Sequence, residues 1–141
     1  MELKQKSKRD AKGLIPPYGG KLKNLIIKDT NLKNDLISKV NYEFECSERN
    51  ACDVELLMVG AFSPLEGFMD ENNYKSVIKN NRDTNGLLFG LPIVFDSNNE
   101  EVKAGETILL TYKKQKIAVL EVSSKWEPDK SLEAELCYGT N

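Results

Sequence analysis

Residues 55–69 read ELLMVGAFSPLEGFM, an apolar tract whose only charges are Glu55 and Glu66. Gly60, Pro64 and Gly67 break it at short intervals, so neither one helix nor one strand can run through it. A tract this apolar has to stay in or near the core, and it must therefore turn there. Upstream, Ser47 offers a cap and Glu48 a favourable first-turn charge, which predicts a helix over 48–59. Cys52, Leu56 and Val59 fall on one of its faces, flanked by Val54, Leu57 and Met58, and this face is expected to be the buried one. Gly60 ends the helix in the left-handed conformation that glycine adopts most cheaply. The next residues, SPLE, fit a capping box, with Ser63 as cap, Pro64 at the first helical position and Glu66 at the third. Gly67 then limits that helix to about one turn before Phe68 and Met69 return to the core. Ser63 is thereby given a structural task, since no G-x-S-x-G elbow or base accompanies it.

The rest of the chain divides by period. Residues 1–13 form a basic leader expected to be flexible, and 14–141 form one domain. Pro16-Pro17 and Gly19-Gly20 mark an extended entry and a turn, after which LKNLIIK (22–28) has the composition of a strand. Leu32, Leu36, Ile37 and Val40 give a short amphipathic helix, and NYEFEC alternates as a strand does. In DENNYKSVIKNN, Asp70 caps a helix with Tyr74, Val77 and Ile78 on one face. Beyond residue 86 the character is β. GLLFGLPIVFD (86–96) reads as a long apolar strand, with Pro92 putting it at an edge or bulge. ETILLTY and KIAVLEVSSKW flank a turn at Lys113–Lys116 and predict a hairpin. The class is α+β: short helices inserted before a mostly antiparallel, barrel-like sheet.

Composition narrows the chemistry. The 141 residues carry no histidine, which excludes Ser–His and Cys–His catalysis within this chain and leaves no plausible zinc set. Cys46, Cys52 and Cys137 are odd in number and lack C-x-x-C spacing, so they are expected to be thiols behaving as small hydrophobes. Residues 1–39 hold ten Lys/Arg against four Asp/Glu, and 40–141 hold ten against eighteen. The acidic bulk makes nucleic acid an unlikely partner, because phosphate contacts need clustered cations. No apolar run reaches membrane-spanning length and no signal peptide is visible, giving a cytoplasmic expectation. YGGKL fails as a phosphate loop, with Ile15 and Leu22 where glycine and a hydroxyl are required. Asp96, Glu100 and Glu101 fall in a polar turn and read as solvated. Trp126 ends an apolar strand and reads as a lid. These residues assemble no active site, cofactor site or metal site.

The segments LIPPYGGKLKNLI, CDVELLMVGAFSPLEGFM, NYKSVIKN, GLLFGLPIVF, AVLEV and WEPDK…EAELCYGT, in this order, resemble the N-terminal domain of ATP sulfurylase (sulfate adenylyltransferase) over residues 14–140. Tyr18 departs from the family's frequent PPHGG. The resemblance implies a PUA-like β-barrel with a helical insertion. It also implies an enzyme that converts ATP and sulfate to adenosine 5′-phosphosulfate and pyrophosphate in sulfate assimilation, using ATP with magnesium. The family's Q-x-R-N, H-x-x-H and G-R-D motifs lie in a following catalytic domain and none occurs here, so no catalytic residue carries over and this segment alone is expected to be inactive. The implied partners are that catalytic domain in cis, meeting a face near Trp126, Leu136 and Tyr138, and further copies in a homo-oligomer. The alternative is a freestanding PUA-like module that binds RNA or protein.

Overall fold

The computed structural model describes residues 13–140; the leader, up to residue 12, lies outside them. Four helices and three strands follow in the order α1 (Thr30–Ser38), β1 (Tyr42–Glu45), α2 (Glu48–Val59), α3 (Glu71–Asn80), β2 (Thr107–Tyr112), β3 (Gln115–Glu121) and α4 (Lys130–Tyr138). Each helix starts where a short polar side chain can accept from its free N–H groups. Asp29 takes Asn31 and Leu32, Ser47 takes Asn50, Asp70 takes Asn73, and Asp129 takes Leu132.

The sheet has three strands in the order β1-β2-β3. β1 runs parallel to β2, pairing Phe44 with Leu110, and β2 runs antiparallel to β3, pairing Ile108 with Leu120. The expected α+β class holds; where a mostly antiparallel, barrel-like sheet is expected, one parallel and one antiparallel pairing make a small mixed sheet, and no closed barrel forms among the described residues. Parallel pairing demands a crossover, and the crossover from β1 to β2 carries α2, α3 and the segment between α3 and β2. The β2–β3 turn is tighter than the expected Lys113–Lys116. Tyr112 pairs with Gln115, leaving Lys113 and Lys114 alone at the turn with φ of 49° and 63°.

The core gathers Cys46, Val54, Val102, Ile108 and Leu110, with Phe44, Phe68 and Phe95 packed against them. Phe44 and Phe95 meet edge to face at 6.2 Å, a favoured geometry for aromatic pairs. On α3 the predicted face holds: Tyr74, Val77 and Ile78 are all buried.

Three expectations fail, each for a local reason. Residues 22–28 and 86–96 are not strands; the second makes only one isolated antiparallel bridge, between Leu88 and Arg82. Gly86, Gly90 and Pro92 interrupt the second of these, so its backbone makes single bonds, Phe89 N–H to Asn81 O and Ile93 O from Met69 N–H, in place of a ladder. Its start is set instead by buried Asp83, whose carboxylate accepts from the N–H groups of Asn85 and Leu87 at 2.9 and 2.8 Å. The third correction concerns α2. Val54 and Leu57 face the core, while Cys52, Leu56 and Val59 face outward. This helix has two apolar stripes, and the sheet takes the one expected to be the flank.

Candidate functional site

The broken tract folds into an elbow that receives the chain's N-terminal part. Gly60 closes α2 at φ 83°, its N–H returning to Leu56 and Leu57 carbonyls. A Cβ there would lie 2.8 Å from both Leu22 Cδ1 and the Lys23 carbonyl oxygen. Glycine is therefore required for conformation and for space. Residues 17–25 cross over this point as a strap. Leu25 N–H donates to the Met58 carbonyl (2.9 Å), and Lys23 N–H donates to Ser63 Oγ (2.9 Å). Gly19 lies against Pro64, where a Cβ would come within 2.8 Å. Tyr18 anchors the strap's start, donating its hydroxyl to the Leu88 carbonyl (2.9 Å) with its ring edge-on to Phe89.

Ser63 is buried, and its hydroxyl donates to the Gly60 carbonyl at 2.6 Å while accepting from Lys23. It caps no helix: residues 64–68 are turn and bend after a cis Ser63–Pro64 bond. The capping box is thus corrected to a latch: no helix follows Ser63, and its hydroxyl ties the Gly60 carbonyl to the Lys23 N–H. Glu66 does not reach back to Ser63. It forms an ion pair with Lys23, and the hydrogen bond from Lys23, aided by the charges of Lys23 and Lys21, holds its carboxyl below the ordinary carboxylate range. Gly67 has open space around its Cα, and Phe68 packs on Phe95 at 5.5 Å. An open groove of about 670 Å³ runs beside the elbow, lined by Leu65, Phe68, Met69, Asp70, Val119 and Glu121 among others. Asp70 is already occupied as the α3 cap.

The C-terminal region is arranged differently. Trp126 is partly buried and tilted onto Tyr74 at 5.3 Å, with its indole nitrogen enclosed and without an acceptor among the described residues. Tyr74 donates to Glu133 at 2.5 Å. Burial first, and then the hydrogen bond to Glu133, push the tyrosine's pKa upward. Burial and the Glu133 charge raise the Cys137 thiol as well. Leu136 and Tyr138, 41% and 62% exposed, lie at the surface of α4. Of the three residues expected to form one face, Trp126 is thus turned toward α3.

Sequence reasoning missed the strap and the exposed apolar side chains on it and just after it, Leu22, Ile26 and Ile27 among them. Its signals were present in Tyr18 and in paired glycines at 19 and 60, but their partners lie about forty or more residues away. Among the described residues no group of three or more His, Cys, Asp or Glu side chains could hold a metal ion, and no helix is long and apolar enough to cross a membrane. What the described residues display is a latched elbow and exposed apolar side chains beside it.

A sequence model described as the PUA-like domain matches residues 15–141. The chain belongs to that family. Among curated relatives, it is 41% identical to the sulfate adenylyltransferase of Neurospora crassa over 88% of the chain and 23% of that protein. It is 37% identical to the sulfate adenylyltransferase of Vesicomyosocius okutanii over 90% of the chain and 33% of that protein. The chain therefore spans a quarter to a third of their length. A solved structure titled "Hexameric APS kinase from Thiobacillus denitrificans" superposes with a TM-score of 0.72 at 31% identity, over 83% of this chain and 24% of that one.

Proposed function

We propose that this chain serves as the non-catalytic N-terminal domain of a sulfate adenylyltransferase, supporting the catalytic domain and its assembly. The observation that carries this reading is the identity of 37–41% over about nine-tenths of the chain to proteins of that name. In the parent reaction, a sulfate oxygen attacks the α-phosphorus of ATP and pyrophosphate leaves. The needs of that step are positioning and charge stabilisation around the phosphates, with magnesium. This chain contributes no histidine to it, and the groove beside the elbow is not lined by Lys or Arg among the described residues. Its contribution is mechanical: a rigid body whose α4 side, with Leu136 and Tyr138 outward and Trp126 stiffening the layer beneath, meets the catalytic domain in the cytoplasm, in an enzyme built from several copies.

A pyrophosphate-release assay with ATP, magnesium and sulfate tests the reading. The purified chain is expected to give no turnover above blank, while a full-length relative assayed alongside turns over. Turnover by the chain itself would place chemistry in residues assigned here to structure. The alternative, an RNA-binding module, is disfavoured by eighteen acidic against ten basic residues over 40–141. Binding to single-stranded RNA at micromolar strength near 150 mM salt, steeply weakened by more salt, would favour that alternative.

A further inference from the structure

The turn that leads away from α3 carries a reactive pair. Asn85 is followed by Gly86, and no other asparagine in the chain precedes a glycine. Both residues are exposed. The Asn85 backbone is held, its N–H donating to Asp83 Oδ1 at 2.9 Å, whereas its side-chain amide makes no hydrogen bond among the described residues. Nothing shields the Gly86 nitrogen from that amide on the glycine's side, since a Cβ there would meet nothing within 4 Å. Asparagine is a thermolabile residue, and its usual loss begins when the next residue's backbone nitrogen attacks its side chain. Glycine, without a Cβ, hinders that attack least.

The turn also shows what resists the attack. Gly86 N–H donates to the Asp83 carbonyl at 3.0 Å, so the nitrogen reacts only when this bond opens. Backbone bonds at exposed turns open at low cost. The Asp83 carboxylate disfavours an anionic nitrogen nearby, and the Arg82 guanidinium, 3.0 Å from the Gly86 carbonyl oxygen, offsets it. From neighbouring elements, Asn73 of α3 accepts from Thr84 and Tyr18 of the strap donates to Leu88, contacts that bring no further carboxylate or ammonium.

We propose that Asn85–Gly86 is a self-modifying site, where the chain converts Asn85 to aspartate and isoaspartate, the latter loosening the strap's anchor. The Gly86 nitrogen loses its proton to hydroxide and bonds to Asn85 Cγ. The Cγ–Nδ2 bond breaks, ammonia leaves with a proton taken from water, and a cyclic imide remains. Water then opens the ring. Cleavage between Cγ and the nitrogen leaves aspartate. Cleavage between the Asn85 carbonyl carbon and the nitrogen leaves isoaspartate, with Cβ and Cγ now in the main chain. In either case an amide and a water have become a carboxylate and an ammonium.

The isoaspartate form bears on the strap because the chain beyond Asn85 is closely fixed. Asp83 Oδ1 accepts from Leu87 N–H at 2.8 Å, and Asp83 N–H donates to the Leu87 carbonyl at 2.8 Å. Leu88 follows at once, bridged to Arg82 and accepting from the Tyr18 hydroxyl at 2.9 Å. A main chain lengthened by one atom at residue 85 breaks this register, and buried Asp83 loses a donor. The proposal does not rest on the sulfurylase reading, since the pair reacts with water alone.

Ageing the full chain at neutral and mildly alkaline pH tests it, followed by ion exchange, peptide mapping and ammonia release. The wild type should accumulate a more acidic species in step with ammonia, faster in proportion to hydroxide, and mapping to residue 85. Asn85→Gln should lose that species and keep the wild-type melt, because the Asn85 side chain holds nothing. The separated isoaspartate form should exchange amide protons faster at Leu87, Leu88 and the strap's start, with the β2–β3 ladder unchanged. Asn85→Asp, which adds the charge without lengthening the main chain, should exchange as the wild type does. Four results would each overturn the proposal. They are no acidic species where a free peptide of residues 82–88 converts, conversion at another asparagine instead, an isoaspartate form whose strap exchanges like the wild type, and equal loosening by Asn85→Asp.

Discussion

Gly60 and the Lys113–Lys114 pair hold the backbone in the same left-handed region, at φ of 83°, 49° and 63°, but for different reasons. At Gly60 the chain behind and above leaves no volume: the Leu22 side chain and the Lys23 carbonyl occupy the place a Cβ would take. At the hairpin tip nothing crowds the lysines, both of which are exposed. There the ladder between β2 and β3 dictates the turn. This two-residue loop matches the strand twist with φ above zero at both positions, the type I′ geometry in which Asn and Gly are the usual choices. The elbow is thus specified by packing and by residue type together. The hairpin is specified by its strands against the preference of its turn residues. Lys113 partly compensates by placing Nζ 5.0 Å from the centre of the Tyr112 ring, a cation–π contact worth little at an exposed site.

The largest expected effect sharpens the first half of this comparison. Gly60→Ala combines left-handed strain with overpacking and should destabilise the chain by about 2–5 kcal/mol in urea titration. Gly67→Ala is the control, because Gly67 has neither positive φ nor a neighbour near its missing Cβ. Equal losses at the two positions would show that the strap does not press on the elbow. Next in size is Ser63→Ala, which strands the part-buried Lys23 N–H and removes the bond to the Gly60 carbonyl. Leaving a buried donor unmade costs about 1–3 kcal/mol. Because the hydroxyl links strap to elbow, faster amide exchange should appear at Lys23 and Leu25 and leave α3 unaffected.

Different amounts of these two regions were legible in sequence. The helix α3 was readable because Tyr74, Val77 and Ile78 form its single apolar face, so periodicity had one answer. Helix α2 offered two apolar stripes, and periodicity alone does not say which one meets a sheet assembled from β1 and the distant β2. The S-P-L-E pattern satisfied a local rule whose residues were taken by long-range partners: Lys23 binds Ser63 through its N–H and Glu66 through its ammonium. In 86–96, hydrophobicity was read as a strand, yet burial there comes from packing, as Phe95 does between Phe44 and Phe68. The expected face at the C-terminus missed that Trp126 has Tyr74 for a partner, a contact between side chains fifty-two positions apart.

The hairpin half of the comparison predicts a gain. Lys114→Gly removes left-handed strain of roughly 1–2 kcal/mol and gives back about 0.5–1 kcal/mol in unfolded-chain entropy. A net stabilisation of about 0.5–1 kcal/mol should appear as a higher urea midpoint with an unchanged slope. Loss of stability would mean that the Lys114 side chain contributes more than its backbone costs, through its charge near Glu45.

The smallest effect concerns pH, and it reaches both regions. Glu66 is held below the ordinary 4.5 by Lys23 at the elbow, and Glu45 by the Thr111 hydroxyl beside the hairpin. In each case the folded carboxyl binds its proton less readily than the unfolded one. Their stabilisation is therefore complete above the unfolded value and is lost as pH falls through the lower folded value. Tyr74 and Cys46 shift the other way, both chiefly by burial. Their neutral forms are favoured in the fold, and stability should fall as pH rises beyond their unfolded values of 10.0 and 9.0. The melting temperature should accordingly be level near neutrality and decline below about pH 4.5 and above about pH 9. Glu66→Gln should flatten part of the acid limb and leave the alkaline limb in place. At the same time it should speed amide exchange at the strap and not at the β2–β3 ladder. If the ladder loosened equally, the elbow and the hairpin would be one cooperative unit, and the contrast between them would be confined to their local geometry.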